Sequence, residues 1–214
     1  MGVSSAKENI LKKVRKALTT STPLPFPLSE GNSSPYQLPA EEAELQFAEE
    51  FIRLQGKFVY CFDQSELLVQ LSTIINGNGW TKIFCAEPAL KEVLKSAGAG
   101  QHITSDLAGC EVSITSCEAL VARTGTIVLT SASENGRTAS VYAPVHVCIA
   151  YRSQLVYDVR DALLMIKEKY AGKLPSLISF ASGPSRTADI EKTLVVGVHG
   201  PKEVYVLLVE SSPA

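Results

Sequence analysis

No Cys-x-x-Cys pair occurs anywhere in the 214 residues, and the three histidines, His102, His146 and His199, lie far apart. Zinc sites and iron–sulfur clusters draw on closely spaced ligands of these types, so the spacing argues against a metal centre or cofactor held by this chain. The five cysteines, Cys61, Cys85, Cys110, Cys117 and Cys148, are odd in number, widely separated and mostly set in apolar stretches. They read as buried, reduced thiols of a cytoplasmic protein, not as a disulfide framework. Excess positive charge is also lacking: a formal net charge of −2 supplies no broad field for nucleic acid or anionic lipid, although a local group of arginines can hold a small anion. The first residues lack the apolar core of a signal peptide or membrane span, because Lys12, Lys13, Arg15 and Lys16 interrupt Ile10, Leu11, Val14 and Leu18.

With 45% hydrophobic residues, the chain is long enough to bury a substantial core in one domain with an appendage. Residues 5 to 18 place Ile10, Val14, Ala17 and Leu18 on one helical face. From Thr20 to Pro39, five prolines among serines and glycine forbid regular helix or central strand and read as an extended linker. The chain therefore divides into an arm over 1–39, with a possible role in homo-oligomers, and a domain over 40–214.

In the domain, Ala43, Phe47 and Phe51 mark a second amphipathic helix. "KFVYCF", "TKIFCA" and "EVSIT" are then each followed by a helix-like stretch, the last being "SCEALVAR". Repeated strand and helix predicts βαβ units, and hence an α/β fold of three layers around a mixed sheet. "TIVLTS", "VHVCIAY" and "SLISFA" add strands, and "DVRDALLMIKEKY" adds a helix. "TLVVGV" and "EVYVLLVE", separated by "HGPK", predict a terminal antiparallel hairpin.

Three polar stretches emerge from these runs. In the first, Thr124, Gly125 and Thr126 open a strand after Glu118; glycine beside hydroxyls permits close backbone approach to a ligand, and equally serves as a plain helix end. In the second, Glu134 and Arg137 flank the turn residues Asn135 and Gly136, which read as a hairpin tip or as a carboxylate beside an anion clamp. The third, "SGPSRTADIE", follows a strand: Gly183 and Pro184 bend the chain, Ser185 and Thr187 offer hydroxyls, Arg186 offers a planar fork, and Asp189 and Glu191 offer acceptors. Either these groups bind a small anionic ligand, with Arg186 as anchor and Thr124, Gly125 and Arg137 in the same crevice, or Arg186 pairs with Asp189 or Glu191 as an internal latch.

The run Ser133, Glu134, Asn135, Gly136 is similar to the glutamate signature of one group of CoA transferases, although its flanks depart from that pattern. A longer resemblance lies in "ALVARTGTIVLTS", "ENGR", "PVHVCIAYRSQLV" and "SGPSRTADIEKTLVVGVHGPKEVYVLLVE" behind a Pro-rich linker. Together these resemble the LUD-domain family over roughly residues 41 to 214. The resemblance implies a NagB/RpiA/CoA-transferase-like fold and a part in oxidising L-lactate to pyruvate. It also implies partner proteins that carry iron–sulfur clusters, which this chain's cysteines cannot build. A stand-alone enzyme or binding protein for CoA, a nucleotide or a sugar phosphate remains open at this point, as does a structural adaptor.

Overall fold

Alternation of side chains along Val145–Tyr151 sets the centre of the fold: Val147 and Ile149 point into one core, Cys148 and Ala150 into another. The structure is a computed structural model. It describes residues 5–19, 42–134, 136–190 and 193–211, with the backbone alone at 5, 187–190 and 193–195. The chain forms two units, Met1–Leu38 and Pro39–Ala214. Of the first, the described part is helix α1, Ser5–Leu18; the linker expected over Thr20–Pro39 lies outside the described residues.

The second unit begins with α2 (Ala43–Arg53), β1 (Lys57–Cys61), α3 (Gln64–Asn78), β2 (Ile83–Phe84), α4 (Pro88–Ser96), β3 (Ile103–Thr104) and β4 (Val112–Thr115). A hairpin follows, β5 (Ala119–Val121) and β6 (Thr126–Thr130), then α5 (Ala139–Tyr142), β7 (Val145–Tyr151), β8 (Leu155–Val156), α6 (Val159–Lys169) and β9 (Ile178–Ala181). The chain closes with β10 (Arg186–Ile190), β11 (Thr193–Val196) and β12 (Glu203–Val209).

Six strands form a parallel sheet in the order β1-β12-β7-β4-β2-β3. Leu67, Leu71 and Ile75 of α3 and Leu90 and Leu94 of α4 bury one face against Ile83, Ile114, Val147 and Leu207. On the other face, Phe47 and Phe51 of α2 pack with Leu120 and Ile127 of a smaller sheet against Cys148, Val206 and Leu208. Each buried phenylalanine contributes roughly 1.5–3 kcal/mol. The smaller sheet, ordered β8-β5-β6-β9, mixes parallel and antiparallel pairs, and Ala162 and Ile166 of α6 cover its outer side. The α/β class and its layers follow the expected alternation. Helix α3 starts where Asp63 Oδ1 accepts the Glu66 N–H at 2.9 Å, and stops at Gly79 with φ 67°.

Three local expectations are corrected. "SCEALVAR" is not an α-helix: Ala119–Val121 is strand β5, fully buried and paired with β6, a single 3-10 turn follows at Ala122–Thr124, and Glu118 stands at a strand entry. "TLVVGV" and "EVYVLLVE" do not pair. β11 pairs with β10, while β12 enters the parallel sheet between β1 and β7, because Val204–Val209 is buried and so needs cover on both faces. The 131–138 stretch is no hairpin tip, since β6 and β7 belong to different sheets.

Candidate functional site

Strands β2 and β4 are neighbours in the parallel sheet, yet the chain leaves their carboxyl ends in opposite directions. After β2 it enters α4 on one face; after β4 it crosses into the small sheet on the other. Such a divergence opens a crevice outside the strand ends, the place where open α/β sheets take ligands. Here it encloses about 340 Å3 and is lined by Glu87, Cys117, Glu118, Ser133, Glu134 and Lys169, among others.

Glu87 stands at the head of α4, where its side chain makes no cap bond to its own helix. Its Oε1 instead accepts the backbone N–H of Ser116 at 2.7 Å, which ties the exit of β2 to the exit of β4. Glu118 lies opposite, its side chain 6% exposed. Its Oε1 accepts from Thr130 Oγ1 and Tyr170 OH, each at 2.7 Å, and its Oε2 accepts from Lys169 Nζ at 2.7 Å. Burial would raise the Glu118 pKa, but the donors Lys169, Tyr170 and Thr130 outweigh it and hold the carboxyl below its ordinary value. Burial likewise opposes the Lys169 charge, and the bond to Glu118 overcomes it, so the ammonium pKa is raised. The crevice therefore contains a fixed ion pair: the carboxylate is saturated with donors, and the ammonium, 61% exposed, has further protons to give.

Next to Ser116, which lines the crevice, His146 Nε2 lies 2.9 Å from Thr115 Oγ1, whose own hydroxyl donates to the Ser116 carbonyl at 2.8 Å. The ring N–H therefore donates to Thr115. Burial lowers the His146 pKa to about 4 and keeps the ring neutral. All five thiols are buried; burial pushes Cys61 and Cys85 each up to about 11, and Cys148 is raised by its bond with Cys117 and by burial. Among the described residues, no group of three or more His, Cys, Asp or Glu side chains is placed to hold a metal ion.

Six of the residues singled out in the sequence fall in two places. Glu118 and Glu134 line the crevice. Thr124, Gly125, Gly183 and Arg186 gather around the end of α2. A Cβ on Gly125 would meet Phe51 N at 2.6 Å, and one on Gly183 would meet the Leu54 carbonyl at 2.7 Å. Both glycines have positive φ, 56° and 81°, so these positions admit α2 to the small sheet. Thr124 Oγ1 bonds Thr126 Oγ1, which bonds Ser182 Oγ. Arg186 Nη2 donates to the Leu54 carbonyl at 2.7 Å, a backbone partner that neither sequence reading offered. Ser185 N–H donates to the Pro201 carbonyl, and Arg137 Nη2 donates to Ser176 Oγ at 2.7 Å. Thr187 and Asp189 lie on β10, where the backbone alone is described; Asn135 and Glu191 fall outside the described residues. Sequence reasoning missed Glu87, Lys169 and Tyr170. Glu87 had a signal, the turn between a strand and the helix after it; the other two are brought in by the packing of α6.

A larger groove, about 640 Å3, runs between α2 and the β1 edge. Most of its charged groups are committed to one another: Arg152 pairs with Glu44 and with Glu210 at 3.4 Å, and Tyr60 OH donates to Glu210 at 2.8 Å, while Glu42 adds a further carboxylate. The smaller crevice is the better candidate because it lies at the divergence of strands and offers a cation with donors to spare.

Residues 40–209 match the LUD domain model, and the chain belongs to the LUD domain family. Among curated proteins it is similar to Lactate utilization protein C of Bacillus licheniformis, 36% identical over 116 residues, covering 53% of this chain and 48% of that protein. Lactate utilization protein C of Shouchella clausii is 40% identical over 101 residues (47% and 44%), and that of Bacillus subtilis 40% over 100 residues (45% and 42%). The chain thus spans under half the length of these relatives. In fold it is similar to the crystal structure of a DUF162 family protein from Deinococcus radiodurans, with a TM-score of 0.60 and 18% identity over 81% of this chain and 99% of that one.

Proposed function

We propose that this chain is a component of a lactate utilization system, oxidising L-lactate to pyruvate together with iron–sulfur partner proteins. The observation that carries the reading is the similarity to Lactate utilization protein C in three bacilli. The chemistry of the crevice supports it. A 2-hydroxy acid presents a single carboxylate and a hydroxyl. Lys169 Nζ suits the carboxylate, and Glu134, at the exposed rim of the same crevice, suits the hydroxyl proton. Oxidation removes two electrons and two protons from lactate. Burial pushes the Cys61 and Cys85 thiols up to about 11, which makes them poor cluster ligands, and in this reading the two electrons are taken up by iron–sulfur centres of the partners.

CoA, a nucleotide or a sugar phosphate fits less well. Three carboxylates, Glu87, Glu118 and Glu134, face one cation, Lys169, in the crevice, and a phosphate of charge near −2 would be repelled where a monocarboxylate is tolerated. Reduced thiols are in keeping with a cytoplasmic setting. Among the described residues no helix is long and apolar enough to cross a membrane. Pull-down of the tagged chain from its native cells tests the proposal. Co-isolated iron–sulfur proteins that reduce an artificial acceptor on addition of L-lactate support it; a lone homo-oligomer with no lactate-dependent reduction contradicts it.

A further inference from the structure

Charge is segregated along the chain. Helix α1 carries Lys7, Lys12, Lys13, Arg15 and Lys16 against the single acid Glu8, a net of +4; since the whole chain carries −2, the rest carries −6. The overall charge therefore hides a compact basic element. At about 100° per residue, Ile10, Val14, Ala17 and Leu18 share one sector with Leu11 at its border. Lys12 and Lys16 face the other way, Arg15 and Lys13 stand at the two margins, and Lys7, in the first turn, falls within the apolar sector at its N-terminal end. Ile10, Leu11, Val14 and Leu18 are 62%, 39%, 47% and 80% exposed.

Two features identify what covers this face. After Glu8 the helix has no acid, so Lys12 meets Lys16 at i,i+4 and Arg15 at i,i+3, and Lys13 meets Lys16 at i,i+3. Such like-charge neighbours weaken a helix in water, a cost that an anionic surface removes. The exposed aliphatic sector, in turn, has no use against a polyphosphate backbone but suits the boundary between headgroups and acyl chains.

We propose that α1 is an interfacial anchor that lies along an anionic lipid bilayer, with Ile10, Leu11, Val14 and Leu18 toward the acyl chains and the cations at the headgroup phosphates. At 14 residues, roughly 21 Å, it lies on the bilayer and does not span it. Marginal cations whose aliphatic stems run beside the apolar sector reach the headgroups by snorkelling.

The test is co-sedimentation of the full chain with phosphatidylcholine vesicles, with and without phosphatidylglycerol, at low and high salt. The full chain sediments with the phosphatidylglycerol vesicles, less so at high salt. K12E/R15E/K16E loses about a hundredfold in partitioning. I10S/V14S keeps the charge and also loses partitioning. The thermal transition of the domain stays unchanged in both variants. Absence of binding by the unsubstituted chain, or equal binding by K12E/R15E/K16E, overturns the proposal. So does self-association through these residues without vesicle binding, which gives the helix to a protein groove.

Discussion

Glu87 reaches from the head of α4 to the backbone N–H of Ser116, 2.7 Å away, and so joins the two segments that leave the parallel sheet in opposite directions. The bond fixes the width of the crevice where the strands diverge. Replacing Glu87 by Ala leaves the part-buried Ser116 N–H without this acceptor and lowers stability by about 1–3 kcal/mol. Glu87→Gln keeps a side-chain oxygen for that N–H and recovers most of the loss. Urea unfolding of the two variants measures the difference; equal stabilities would show that the bond contributes nothing.

Glu118 predicts a dependence on acid. Its folded pKa lies below the ordinary value of 4.5, so it contributes stability above that pH, and the contribution is lost as the pH falls through the folded value. Glu118→Gln should therefore be less stable than the unsubstituted protein near neutrality, by about 1–3 kcal/mol, and the gap should close in acid. Unfolding free energies measured across this range check it, and a gap independent of pH would contradict it.

His146 acts over a different window. Its folded pKa of about 4 lies below the ordinary 6.5, so the neutral ring favours the fold above pH 6.5, and this contribution drains away as the pH falls toward 4. His146→Gln retains an N–H for Thr115 and cannot titrate. Its stability profile between pH 6.5 and 4 should be flatter than that of the unsubstituted protein; parallel profiles would mean that His146 is not the titrating group.

The contacts around α2 give the opposite pattern, a structural cost without a catalytic one. Gly125→Ala forces a Cβ against the backbone at Phe51 from a positive φ and should destabilise by more than about 1 kcal/mol. Arg186→Ala loses one exposed bond to the Leu54 carbonyl and should cost about 0.5–1.5 kcal/mol while leaving lactate-dependent activity intact. Arg186→Lys retaining its fold but losing activity would instead make Arg186 a ligand anchor.

Alternation of strands and helices was legible because βαβ units need apolar runs separated by amphipathic ones. Two segments misled for physical reasons. Cys117, Leu120 and Val121 recur at helical spacing, yet the buried hairpin makes them β5. Val204–Val209 is a continuous buried run, as a central parallel strand must be, and such a run carries no information about its partner. Glu118 and Glu134 were singled out as acids, but on a helix-like segment and beside a hairpin turn, and their place at one crevice comes from strand β5 and from the departure of β6 and β7 into different sheets. That Lys169 and Tyr170 complete the same crevice was not legible, because the docking of α6 on the small sheet brings them there.

The central claim, a hydroxy-acid site at the crevice, is tested most directly by L-lactate-dependent reduction of an artificial acceptor in the assembly isolated through this chain. Lys169→Met and Lys169→Arg are compared once each is shown to be folded. The account predicts that Lys169→Met needs at least about tenfold more lactate for half-maximal rate, the loss of a charge-assisted bond, and that Lys169→Arg recovers most of it. Folded Lys169→Met with the unsubstituted protein's lactate dependence would contradict the account.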